Sequence, residues 1–241
     1  VRRRFALVQP LKNRGNCVNS RNTLMGVATS LMSVGLIATA PSAWAADRVF
    51  DLDEFTGVAA AQGLDVEVVV GEQFLVTATS ESAEQLGNLK IRVKDDVLMV
   101  GREYRSGGFW DWWKHSADVS VMVQMPSVSV LKASSGAELF VEGVDCETLS
   151  IDASSGSDIE VVGFCDTATI DASSGSGIDL RRLQLKTATA DASSGADINL
   201  NVTDAFYGDA SSGADIDVYG QPAVAESDTS SGADIDFRGA E

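Results

Sequence analysis

The sequence predicts an all-β fold, a parallel β-helix (solenoid) with coils of about 19 residues. Two observations carry this. An eight-residue phrase recurs six times, at 132–139, 152–159, 171–178, 191–198, 209–216 and 228–235, and its glycines at 136, 156, 175, 195, 213 and 232 fall 18 to 20 residues apart. Around each glycine the apolar residues alternate. Three positions on stand Leu139, Ile159, Ile178, Ile198, Ile216 and Ile235, and five positions on stand Val141, Val161, Leu180, Leu200, Val218 and Phe237. A period of two is strand spacing, and the constant longer period means that each strand stacks on its counterpart one coil away.

The first 45 residues differ from everything after them. They hold six basic residues (Arg2, Arg3, Arg4, Lys12, Arg14 and Arg21), no acid, an apolar run over 24–40, and small residues at Ala43 and Ala45. This is the pattern of a secretory signal peptide over 1–45, cut before Ala46. The apolar run is interrupted by Ser, Thr and Gly and falls short of the roughly 20 apolar residues of a membrane span. No transmembrane anchor is therefore expected in the mature chain, residues 46–241, which reads as one domain exported to the periplasm or the cell surface.

The whole chain has 18 Lys and Arg against 35 Asp and Glu, a formal net charge of −17. Loss of six leader cations makes the mature part more acidic still. Nucleic acid and anionic membrane are excluded as broad partners, because both are held by Lys and Arg set against phosphate.

Residues 49–131 carry no copy of the phrase but alternate over 64–70, 74–79, 89–94, 97–100 and 119–125. Short connections at Gly71-Glu-Gln73 and Asp95-Asp96 predict hairpins. Residues 80–86 predict one or two helical turns. These strands are expected to start and cap the stack. Over 132–238 each coil then has a strand into Ser-Ser-Gly and a strand out, the glycine taking a backbone conformation that a side chain penalises. Cys146 and Cys165 are one coil apart. In an oxidising compartment a bridge between neighbouring coils fits, and so does a stacked pair of reduced thiols.

The order of pieces resembles the bacterial head GIN domain family, also described as a putative autotransporter adhesin. Phe55-Thr-Gly-Val58 comes first, then a strand ending Val70-Gly71-Glu72, then Leu89-Lys-Ile-Arg-Val93 with Asp95-Asp-Val-Leu98, then Val121-Met-Val-Gln-Met-Pro126, and last the Ser-Ser-Gly repeats. The resemblance spans about residues 49–238. It implies a right-handed parallel β-helix on an exported bacterial protein with an adhesive role, and supplies no catalytic residues. A C-terminal membrane barrel, which an autotransporter needs, is not expected after the last repeat strand.

Outward positions carry columns of acid. Four positions before five of the six corner glycines stand Asp152, Asp171, Asp191, Asp209 and Asp228; two after four of them stand Asp158, Asp197, Asp215 and Asp234. Like charges one rung apart repel by about 0.9 kcal/mol even in water. Calcium is the ion such carboxylates would take, with Asp158, Asp197, Asp215 and Asp234 as its ligands. A solvated face that blocks edge pairing is the simpler reading, and no cofactor is expected. Six equivalent Ser-Ser-Gly copies point to a corner and not to a nucleophile, since a triad needs a base and His115 is the chain's one histidine.

The segment from Arg102 to His115 breaks the strand pattern and gathers Phe109, Trp110, Trp112 and Trp113 on a Gly-hinged stretch. Such a cluster either covers an open end of the stack or associates with a second copy, or else it forms an aromatic platform for a glycan or a cell-surface protein. The expected function is a noncatalytic, adhesin-like binding module of the cell envelope. A structural scaffold is the alternative. A carbohydrate-active enzyme is a weaker one, because its paired carboxylates form a single constellation, whereas these acids repeat uniformly.

Overall fold

The computed structural model describes residues 46–103 and 119–239. Its regular part is a parallel stack of β8 (Val130–Ser134), β9 (Glu138–Ser154), β10 (Asp158–Ser173), β11 (Gly177–Ser193), β12 (Asp197–Ser211), β13 (Asp215–Gly220), β14 (Val224–Thr229) and β15 (Asp234–Gly239). Register pairs like with like. Ile159 lies between Leu139 and Ile178, and Asp171 between Asp152 and Asp191. Leu139, Ile159, Ile178, Ile198 and Ile216 are all at most 2% exposed, so the inward column is a continuous apolar ladder. Each such side chain contributes about 1.5–3 kcal/mol before ordering entropy is subtracted. The last rung departs from the pattern: Ile235 is half-buried, and Phe237 is 48% exposed while its ring meets that of buried Phe206 edge-on at 5.8 Å.

The corner is a two-residue turn. The second serine (φ 54–57°) and the glycine (φ 67–78°) of every Ser-Ser-Gly both have positive φ. Two consecutive left-handed residues make a type I′ turn, closed in one coil by Ala137 N–H donating to the Ser134 carbonyl. The sequence placed this conformation on glycine alone. The serine shares it, at a cost of roughly 1–2 kcal/mol. The turn is itself a rung of the ladder, which offsets that cost: Gly136 N–H donates to the Ser155 carbonyl of the next coil at 3.2 Å, and Gly156, Gly175 and Gly195 do the same.

Two more coils lie in residues 49–131, where the sequence shows no repeat. β2 (Gly57–Ala61) and β3 (Asp65–Val70) are joined by a corner at Gln62-Gly63, with φ of 65° and 62°. They stack on the first repeat coil, Ala60 against Ala133 and Val66 against Leu139. β6 (Val97–Arg102) and β7 (Val119–Met125) stack on the far side of β2 and β3. The chain's first coil is therefore second in the stack.

Antiparallel strands finish this end. β4 (Leu75–Ser80) pairs with β7 and β1 (Ala46–Phe50) with β4, while β5 (Leu89–Lys94) pairs with β6. The helix α1 (Ala83–Gly87) links β4 to β5 and buries Leu86. Arg48 fastens it, donating to the Leu86 carbonyl and lying over the Phe50 ring at 4.6 Å. The hairpin at Asp95-Asp96 forms, with both residues at positive φ. The hairpin expected at Gly71–Gln73 does not. Both edges of β3 are already taken, by β7 and β9, so β4 has no edge of β3 to pair with and lies beyond β7.

Candidate functional site

The ridge of corners divides two walls, and the outward side chains of each wall run in columns across the stack. On the wall after the corner, Asp158, Gly177, Asp197, Asp215 and Asp234 are successive in register. Gly177 breaks the column where an added Cβ would stand 2.5 Å from Asp158 Oδ1. The next outward column, Glu160, Asp179, Asn199, Asp217 and Asp236, is threaded by arginine. Arg182 pairs with Glu160, Arg181 with Asp179, and Arg238 with both Asp217 and Asp236. The hydrogen bond from Arg181 holds the Asp179 carboxyl below the ordinary aspartate range. The chain itself thus meets part of the charge in this column, which is not the column of Asp158, Asp197, Asp215 and Asp234 expected to hold calcium. Among the described residues no group of three or more His, Cys, Asp or Glu converges as the ligands of a metal would. A shallow trough of about 660 Å³ crosses this wall, lined by acids such as Asp65, Glu138 and Asp158 and by half-exposed Met122.

On the wall before the corner, Asp152, Asp171, Asp191, Asp209 and Asp228 alternate with the first corner serines around a trough of about 530 Å³. Asp191 sits at mid-column. Partial burial, together with Asp171 and Asp209 on either side, pushes its carboxyl above the usual value. Following the same row toward the N-terminal end, its sign reverses: Asp152 pairs with Lys132, then come Ala59, Met99 and Arg92. A third trough, of about 410 Å³, lies there, lined by Lys90, Arg92, Arg102 and Lys132 over small residues such as Ala59 and Ala61. Sequence reading missed it, because its cations come from three strands, β5, β6 and β8, that only the out-of-order stacking brings to one trough.

Cys146 and Cys165 are register partners on β9 and β10, with Cα atoms 4.6 Å apart, and are joined as a disulfide. It staples two adjacent coils on their way round the solenoid.

The aromatic residues Phe109, Trp110, Trp112 and Trp113 lie outside the described residues, and so does His115. Their point of attachment is well defined. In the β2–β3 coil five residues, 61–65, lead from Ala60 to Val66. In the coil beneath it, Val100 and Val121 are the register partners of those two, and twenty residues, 101–120, separate them. Where the β2–β3 coil has a tight corner, the sequence between β6 and β7 thus runs for twenty residues that include the aromatic ones.

The family model described as putative auto-transporter adhesin, head GIN domain matches residues 54–222. Among solved structures, a putative adhesin from Bacteroides fragilis is 15% identical, with a TM-score of 0.62 over 81% of this chain and 97% of that one. A putative lipid binding protein from Parabacteroides distasonis (12% identity, TM-score 0.47) and a putative adhesin from Parabacteroides merdae (12%, 0.44) each cover 80% of this chain and are covered over 96% of their own. No curated protein matches.

Proposed function

The chain belongs to the head GIN domain family of putative auto-transporter adhesins, and from that premise we propose that it is an exported, noncatalytic binding module of the bacterial cell envelope, attaching through the aromatic segment at its irregular corner. The interrupted corner of the β6–β7 coil carries this reading. The neighbouring coil turns in five residues, and the repeats keep the Ser-Ser-Gly turn throughout; this coil spends twenty, and places three of the chain's four tryptophans there. Tryptophan clusters supply large contact area at low entropy cost, which suits stacking on sugar rings or docking on a protein. The adhesin name of the structural relative from Bacteroides fragilis agrees with this role. The repetition of acids along each wall speaks for a noncatalytic surface, since general acid and base work needs two unlike carboxylates facing one point, and Asp179 and Asp191, whose carboxyls shift in opposite directions, stand on opposite walls.

Export with cleavage before Ala46 belongs to the same proposal. β1 opens on Ala46, so a cut there leaves every described strand whole. No helix among the described residues is long and apolar enough to cross a membrane. The test replaces Trp110, Trp112 and Trp113 with alanine and measures thermal unfolding beside binding to cell surfaces and to arrays of glycans. Unchanged unfolding with lost binding is expected. A triple variant that binds as the parent does overturns the assignment, and one that no longer folds shows the segment to be part of the core.

A further inference from the structure

We propose that the trough bounded by Lys90, Arg92, Arg102 and Lys132 binds an anionic glycan, through a carboxylate or sulfate group on the sugar. The chain carries a net charge of −17, yet four of its ten described Lys and Arg residues line this one trough, against a single acid among the described residues, Asp152. The architecture explains how it forms. Arg92, Met99, Ala59 and Lys132 are successive register partners across β5, β6, β2 and β8, so the two banks stand about 14 Å apart at sheet spacing. Between them the outward positions hold the small residues Ala59, Ala61 and Gly101 together with Met99, which is 36% exposed and stands between Arg92 and Ala59.

The floor is partly apolar, as suits contact with a sugar ring, and the volume of about 410 Å³ falls within the range of small-ligand sites. Lys132 is oriented by Asp152 at 3.1 Å, and Gln62 Oε1 accepts the Arg102 backbone N–H at 2.5 Å, which ties the end of β6 to the β2–β3 corner. A bilayer fits poorly. The same wall continues into Asp152, Asp171 and Asp191, which an extended anionic surface would have to face. A ligand confined to the trough avoids them.

The choice of a glycan rests on the binding-module reading, and the test separates the two. The purified exported chain is titrated with tetragalacturonate, with a sulfated galactose tetramer, with the neutral galactose tetramer, and with phosphatidylserine vesicles. Binding of either anionic tetramer is expected, with no binding of the neutral one. The double variant Lys90→Gln/Arg92→Gln is expected to weaken it at least about tenfold per cation removed. Lys94→Gln, on the same edge strand but outside the trough, removes one charge where the double variant removes two, and should have no effect. The proposal is overturned if neither anionic tetramer binds, if the neutral tetramer binds equally, if Lys94→Gln matches the effect of the other two, or if only the vesicles bind. Binding that survives Lys90→Gln/Arg92→Gln and is lost with the tryptophans overturns the trough and leaves the aromatic corner standing.

Discussion

Truncating the same residue type at two rungs of one ladder separates a stacked core from a chain of independent turns. Ile198 is 1% exposed and lies in register between Ile178 and Ile216. Ile198→Ala removes three carbons, about 2.4 kcal/mol of transfer free energy at about 0.8 kcal/mol each. The cavity left between two ordered neighbours raises the loss to about 3–4 kcal/mol. Ile235 occupies the equivalent position on the last rung, with Ile216 on one side and no strand on the other among the described residues, and it is only half-buried. Ile235→Ala should cost about 1 kcal/mol. Urea unfolding followed by far-UV circular dichroism measures both, with midpoint and slope fitted separately, because a stack can shed its terminal coil before the rest. Equal losses at 198 and 235, or a larger one at 235, would refute the claim that burial is set by neighbours on both sides.

Two further substitutions probe backbone and charge. Gly195→Ala places a side chain at φ 69° with nothing within 4 Å of the new Cβ, so only conformational strain of about 1 kcal/mol is expected, whereas Gly163→Ala drives Cβ to 2.2 Å from the Val144 carbonyl oxygen and should cost more than about 3 kcal/mol in the same urea assay. Asp191→Asn tests the column of acids: a carboxyl whose folded pKa is raised destabilises the fold when ionised, so the variant should melt higher than the parent at pH 7, and the two should converge as pH falls below the aspartate range.

Much of the fold is legible in the residues that repeat. The Ile and Val columns, the outward Asp columns and the corner position all follow from strand periodicity combined with a fixed coil length, and each recurs often enough to stand out. What escaped has a physical cause in each instance. The Gln62-Gly63 corner satisfies the same backbone requirement as Ser-Gly, positive φ at two successive residues, with a different first residue. A repeat defined by its letters misses it; one defined by its dihedral angles does not. The order of the first coils was hidden because β6 and β7 follow β2 and β3 in the chain yet lie outside them in the stack, which no local pattern encodes. The arginine threading of Glu160, Asp179 and Asp217 depends on partners brought together by register.

The same reasoning explains why the candidate sites gather at one end. In a solenoid each outward residue is copied, in kind, on the rungs above and below, so a regular wall presents the same group over and over. Such a wall resists edge pairing and stays soluble, but it has little means of holding one ligand in one orientation, which takes unlike groups converging on a point. Convergence requires that the repetition be broken. Here it is broken where the family fold departs from its own repeat: Lys132 stands where the later coils have aspartate, Ala59 and Gly101 lower the wall beside it, and the corner beyond Arg102 becomes a long segment rich in tryptophan. These departures fall on adjacent rungs, and Arg102, which lines the trough, lies on the β6 strand that the tryptophan-rich sequence follows.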